Sequence, residues 1–255
     1  MDGQLRDKVA SGVAWSMAEK VGTMLLQLAV SLTILRLLNP AIMGVIAIPT
    51  AFLAVAIVIA DSGFSQALIR KGTPTADDYK SVFAFNVGVA LVLYGVLVAL
   101  AGSIARFYDM PEITRIAPVF FLQLPLSAAC AIQNTIFVRT FRFALLSKVT
   151  FASWFIAGMV AIGLALAGFG IWCIVVQRVL QASVRALLLW WLSDWRPCGK
   201  CSRRPLREMA PYSFSLLATD FISTLYNKVP QIFLGKLYPQ ETCLLYTSDA
   251  ADDKA

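Results

Sequence analysis

The sequence predicts an all-α protein, a polytopic membrane helix bundle with a six-helix N-terminal lobe and the first helix of a second lobe. Three observations predict it. Of the 255 residues, 58% are hydrophobic and 15% are charged, too apolar for a soluble domain of this length. The apolar residues fall into seven long runs, and ~20 such residues cross a bilayer core at 1.5 Å rise each. The short segments between runs carry most of the Lys and Arg. The net charge of +7 therefore reads as topology, and no nucleic-acid partner is expected.

The expected division follows. Residues 1–192 form the six-helix transmembrane lobe, 193–209 a basic cytoplasmic loop, and 210–241 the first helix of a truncated second lobe. Residues 242–255, TCLLYTSDAADDKA, read as translated sequencing-adapter sequence, a non-native tail.

Span 1 covers about Val9 to Leu38. Met1 to Ala10 is polar and the run is too long for a signal h-region, so it is expected to be retained. Glu19, Thr23, Gln27 and Ser31 repeat every four residues and form a polar face. Lys20 points about 100° away from Glu19. Asn39-Pro40 stops the helix. Span 2, about Ile42 to Ala60, contains Pro49 and closes at Asp61-Ser62-Gly63. A loop to about Tyr79 follows.

Span 3 is about Ser81 to Ala105, with Asn86 and Tyr94 inside. Span 4, about Ile113 to Val138, holds Pro118, Pro125, Gln123, Ser127, Gln133 and Asn134. It should be kinked and sit inside the bundle. Span 5, about Val149 to Ala167, carries Ala157, Gly158, Ala161 and Gly163 for close helix packing.

Span 6, Gly170 to Leu192, carries Arg178, Gln181 and Arg185 at i, i+3 and i+7, one helix face. A charge near the bilayer centre costs roughly 2.5–3.5 kcal/mol. Two readings stand: a cationic stripe facing a protein cavity, or arginines snorkelling to the headgroups. Trp190, Trp191 and Trp195 mark the interface. Span 7, about Ala210 to Leu237, places Asp220, Thr224, Asn227, Lys228 and Gln231 on one polar face.

Alternate loops starting from the N-terminus hold thirteen cations: Arg6, Lys8, Arg70, Lys71, Lys80, Arg139, Arg142, Lys148, Arg196, Lys200, Arg203, Arg204 and Arg207. The other side holds four: Arg36, Arg106, Arg115 and Lys236. The asymmetry places the N-terminus in the cytoplasm of a multi-pass cell-membrane protein. There is no histidine among the 255 residues, which excludes histidine catalysis. Cys198 and Cys201 form a lone CxxC, a weak signal for a metal or redox site. No metal, cofactor or catalytic residue is expected. Shifted by 200 positions, span 1 lies over span 7, a weak internal repeat of the kind that puts a binding cavity between two halves.

Eight stretches, in order, carry a family resemblance: SGVAWSMAEKVG (Ser11 to Gly22), LRLLNPAIMG (Leu35 to Gly44), DSGFSQALIRKG (Asp61 to Gly72), DDYKSVFAFN (Asp77 to Asn86), RFYDMPE (Arg106 to Glu112), FRFALLSK (Phe141 to Lys148), GFGIWCIVVQ (Gly168 to Gln177) and SVRALLLWWLSDWRP (Ser183 to Pro197). The chain resembles the bacterial polysaccharide flippases of the Wzx type, in the multidrug/oligosaccharidyl-lipid/polysaccharide exporter superfamily. It departs from them by ending after the seventh span, as an N-terminal fragment would.

The resemblance implies a twelve-to-fourteen-helix exporter that carries undecaprenyl-pyrophosphate-linked oligosaccharide across the cytoplasmic membrane for O-antigen, capsule or exopolysaccharide. It implies glycosyltransferases and a polysaccharide polymerase as partners. Pyrophosphate calls for cations in a low-dielectric cavity, and arginine offers it a planar fork. Lys20, Arg178, Gln181, Arg185 and Lys228 are therefore the expected substrate path. Glu19 and Asp220 are candidates either for ion coupling or for charge pairing with those cations. A multidrug exporter of the same superfamily is the alternative, though its site should be more apolar or anionic. A membrane ligase or polymerase is a third reading. It needs a large extracytoplasmic loop bearing catalytic groups, and those loops are short here.

Overall fold

The computed structural model describes residues 2–37, 40–197, 199 and 201–237. The tail 242–255 lies outside the described residues, as do Cys198, Lys200 and the side chains of Glu19 and Gln231. The described residues form nine helices and no strand: α1 Asp2–Leu37, α2 Pro40–Asp61, α3 Phe64–Arg70, α4 Ala76–Phe107, α5 Glu112–Phe120, α6 Gln123–Arg139, α7 Phe143–Leu166, α8 Trp172–Leu192 and α9 Arg203–Leu237. The all-α class is as the sequence predicts.

Five helical stretches are long and apolar enough to cross a membrane: Gly44–Asp61, Ala76–Phe107, Glu112–Arg139, Phe143–Leu166 and Trp172–Leu192. They are the predicted spans 2 to 6. The predicted spans 1 and 7 are helices in the right places but fall short of that measure among the described residues. The apolar stretch described in α1 is only Lys20–Ile34. α9 is long, but its described part is interrupted by polar residues, among them Ser213, Ser215, Asp220, Ser223, Thr224 and Asn227; it starts at Arg203 and not at Ala210. The last seven residues of the predicted basic loop, 203–209, are thus helix. Ser202 begins it, its Oγ accepting from the Arg204 N–H at 3.3 Å, as N-cap serines do.

Span 4 breaks where its prolines predict, into α5 and α6. Pro125 has no N–H to give the Phe121 carbonyl, which accepts from Leu124 instead at 2.9 Å. Side chains cover the disturbed backbone, as a membrane interior demands. Gln123 Nε2 donates to the Phe120 carbonyl at 2.7 Å, and the Tyr94 hydroxyl of α4 donates to the Pro118 carbonyl at 3.1 Å.

The small residues of α7 admit α1. Ala157 and Ala161 are buried, and a Cβ on Gly158 would fall 2.9 Å from Val30 Cγ2. Met24, Leu25, Leu28 and Leu32 of α1 and Phe155 and Met159 of α7 stay exposed. Exposed apolar side chains of this kind suit lipid contact.

α3 replaces part of the loop expected between Asp61 and Tyr79. Phe64, Ala67 and Leu68 sit at i, i+3 and i+4 and are its buried residues, the spacing of one helix face. Its entry needs glycine. Gly63 has φ +70°, and a Cβ there would lie 2.7 Å from the Ser213 carbonyl oxygen of α9. Gly63→Ala is expected to cost roughly 1–3 kcal/mol, through strain at positive φ and displacement of α9. Gly72→Ala, with nothing within 4 Å of its Cβ, is the control. Thermal melting of the two variants side by side checks this, and equal melting would refute the contact.

Loops predicted on one side of the membrane meet at one end of the bundle. Arg139, the last residue of α6, donates to the Leu68, Ile69, Lys71 and Gly72 carbonyls, at 3.0 Å for Ile69 and 2.6 Å for Lys71. Lys71 pairs with Asp78 at 2.8 Å, which also closes a capping box with Thr75 at the start of α4. Lys80 Nζ donates to the Gly199 carbonyl at 2.6 Å. Trp191 is 79% exposed, as an interfacial residue would be. Trp190 and Trp195, at the same end, are half-buried, with ring centroids 5.9 and 5.7 Å from Phe83.

Candidate functional site

A polar cleft of about 250 Å³ opens among α2, α3, α4, α6 and α8, lined by Asp61, Ser65, Gln66, Asn86, Ser127, Asn134 and Arg185 among others. Each polar group comes from a helix otherwise spent on apolar packing, so their convergence is not forced by the core. Asp61 is the last residue of α2. It sits on a structural corner, because Ser62 and Gly63 both take positive φ and turn the chain into α3. Arg185 lies about two-thirds of the way along α8, within hydrogen-bond reach of Asn134 of α6.

The hydrogen bonds leave the cleft incompletely satisfied. Ser65 Oγ donates to Asp61 Oδ1, and Asn86 Nδ2 reaches the same oxygen at 3.5 Å. Arg185 donates from one terminal nitrogen to Asn134 Oδ1 at 3.2 Å. Arg185 Nε and Asn86 Oδ1 are buried without a partner. Asp61 and Arg185 share the cleft, yet no ion pair joins them among the described residues. A buried polar atom left unpaired costs about 1–3 kcal/mol, so this arrangement favours a ligand that offers both acceptors and donors.

A second cleft lies on the other side of Asp61. Ile57, Asp61 and Gly63 line it with Leu217, Asp220, Ser223 and Thr224 of α9. Asp61 therefore stands between α8 and α9.

The structure brings together only part of the predicted set. Arg185 and Asp220 line the two clefts that Asp61 joins. Arg178 shares a helix face with Arg185 but meets another neighbour: it is exposed, its guanidinium 5.5 Å from the Trp154 ring centroid of α7. Gln181 is half-buried and Lys20 exposed on α1. Lys228 is half-buried and engaged in its own interaction. None of these four lines either cleft. The Glu19 side chain is outside the described residues.

Asp61, Asn86 and Asn134 were not singled out as site residues from sequence. Asp61 looked like a helix stop because Ser-Gly follows it. The signal was the next apolar triplet, Phe64, Ala67 and Leu68, which keeps the chain packed and the carboxylate inside.

The comparisons agree with one another. A family model described as "Polysaccharide biosynthesis protein" matches residues 33–250. The succinoglycan biosynthesis transport protein ExoT of Rhizobium meliloti (strain 1021) is 24% identical over 228 residues, 89% of this chain and 46% of that protein. The teichuronic acid biosynthesis protein TuaB of Bacillus subtilis (strain 168) is 23% identical over 195 residues, 74% of this chain and 40% of its own. The amylovoran biosynthesis protein AmsL of Erwinia amylovora is 20% identical over 186 residues, 72% and 48% respectively. The chain spans about half the length of these curated relatives. No solved structure matches. A membrane-spanning helix bundle that matches this model over most of its length belongs to the polysaccharide biosynthesis protein family.

Proposed function

We propose that the chain is the N-terminal half of a transporter that flips undecaprenyl-pyrophosphate-linked oligosaccharide across the cytoplasmic membrane. In this reading residues 1–192 are the first lobe and 210–241 the first helix of the second. The N-terminus lies in the cytoplasm, where the thirteen-to-four asymmetry of loop cations puts it. The observation that carries the proposal is Arg185, a guanidinium with an unpaired buried nitrogen in a polar cleft of the spanning bundle. A phosphate oxygen is the acceptor such a group takes best. The printed names of three relatives, from succinoglycan, teichuronic acid and amylovoran biosynthesis, support the saccharide part.

Transport requires no bond to be made or broken by the protein, so no catalytic residue is assigned. The lipid tail stays in the bilayer while the headgroup crosses. Glycosyltransferases then supply the cargo on one face, and a polymerase consumes it on the other. The test is a deletion of the full-length gene in its host. Lipid-linked oligosaccharide is expected to accumulate on the cytoplasmic face while surface polysaccharide disappears. Loss of polysaccharide with no lipid-linked intermediate would point to a synthetic enzyme instead.

A further inference from the structure

Arg185 and Asp61 face one cleft from different helices without pairing. Two like-sized opposite charges held apart in a membrane-embedded site are costly. The separation makes sense if each has its own partner on a single ligand. We propose that the cleft is a glycosyl-phosphate subsite, in which Arg185 takes the phosphate and Asp61 with Asn86 takes hydroxyls of the sugar attached to it. This rests on the transport reading above and adds the orientation of the cargo within the site.

The chemistry of the free atoms assigns the two ends. Arg185 Nε is a donor without an acceptor, and a phosphate supplies one. Asn86 is fully buried, yet its Oδ1 accepts nothing. Asp61, which lines the cleft, receives Ser65 and Asn86 on Oδ1, which leaves Oδ2 as a further acceptor. Two acceptors side by side call for donors, and an ionised phosphate has none to give. Adjacent sugar hydroxyls do.

The second cleft extends the order. Beyond Asp61 it presents Asp220, Ser223 and Thr224 of α9 and no cation. Such a lining suits further hydroxyls and repels phosphate. The cargo thus lies with its phosphate toward α8 and its sugars toward α9. The first cleft, about 250 Å³, falls under the ~300–1,000 Å³ of ordinary ligand pockets. It fits one ring rather than a whole oligosaccharide.

The experiment uses the purified full-length protein in nanodiscs and four probes: farnesyl pyrophosphate, and farnesyl pyrophosphate bearing glucose, galactose or N-acetylglucosamine. At least one sugar-bearing probe should bind about tenfold more tightly than the sugar-free one, since sites built around a hydroxyl discriminate strongly against its absence. D61N should shrink that preference to within about twofold, and Asn86→Leu should do the same. R185Q should weaken all four probes alike. An unchanged sugar preference in both D61N and Asn86→Leu, with R185Q still weakening every probe, would overturn the subsite and leave the transport reading standing. No binding of any probe, or none that R185Q affects, would remove the transport reading itself.

Discussion

Arg185→Ala in the full-length protein is expected to lower transport at least about a hundredfold, to little or no surface polysaccharide, while membrane insertion and abundance stay normal. Two charge-assisted contacts to phosphate are lost, each worth about 1.5–3 kcal/mol, and 1.4 kcal/mol is a factor of ten. Arg185→Lys keeps the charge but loses the planar fork and Nε, so it should restore only part of the activity. Arg178→Ala should have the smaller effect, because that guanidinium stacks over Trp154 outside the cleft. A cation–π contact is worth ~0.5–2 kcal/mol, less than two charge-assisted contacts to phosphate. Polymer measured on the cell surface, beside an immunoblot of the membrane fraction, separates these cases. Normal polymer in Arg185→Ala would remove the cleft from the transport path.

Arg139→Ala is expected to be the most destabilising single change at the loop end of the bundle, by roughly 3 kcal/mol. One guanidinium there holds four carbonyls at the end of α3 and just beyond. Removing it leaves the last carbonyls of that helix without their donor and takes a cation from the negative end of the helix dipole. Arg139→Lys should not rescue it, since an ammonium cannot span carbonyls from Leu68 to Gly72 in a fixed fork. The checks are thermal melting and limited proteolysis of the segment from Arg70 to Thr75. Wild-type melting with an uncut segment in Arg139→Ala would show that α3 needs no clamp.

Most of the helix plan was legible because long apolar runs and their proline and glycine stops are strong local signals. Pro40 opens α2, and Pro118 with Pro125 flank the break between α5 and α6. α3 was not legible, because seven residues after Asp-Ser-Gly look like a loop until α9 and Arg139 are seen to hold them. Trp190 and Trp195 were placed by type at an interface. At that end of α8, both also pack on Phe83, and Trp190 Nε1 donates to the Ala129 carbonyl at 3.0 Å, contacts that residue type alone does not announce.

The site was legible in part. The i, i+3, i+7 spacing put Arg178, Gln181 and Arg185 on one face of α8, but spacing says nothing of neighbours. Asn134 captures Arg185 while Trp154 captures Arg178. Asp61 and Asn86 lie 25 positions apart and meet only when α2 packs on α4. No local pattern announces such a pair. Asp220 was marked as an intramembrane carboxylate, and its place beside Asp61 comes from α9 lying against α2.

The most direct measurement is photo-crosslinking in living cells from a benzophenone amino acid placed at Ser127, which lines the cleft. The same probe goes at Met159, on the exposed apolar face of α7. Lipid-linked saccharide should be captured from Ser127, with much less from Met159. Equal capture at both positions, or capture from Met159 alone, would contradict a headgroup path through the Asp61–Arg185 cleft.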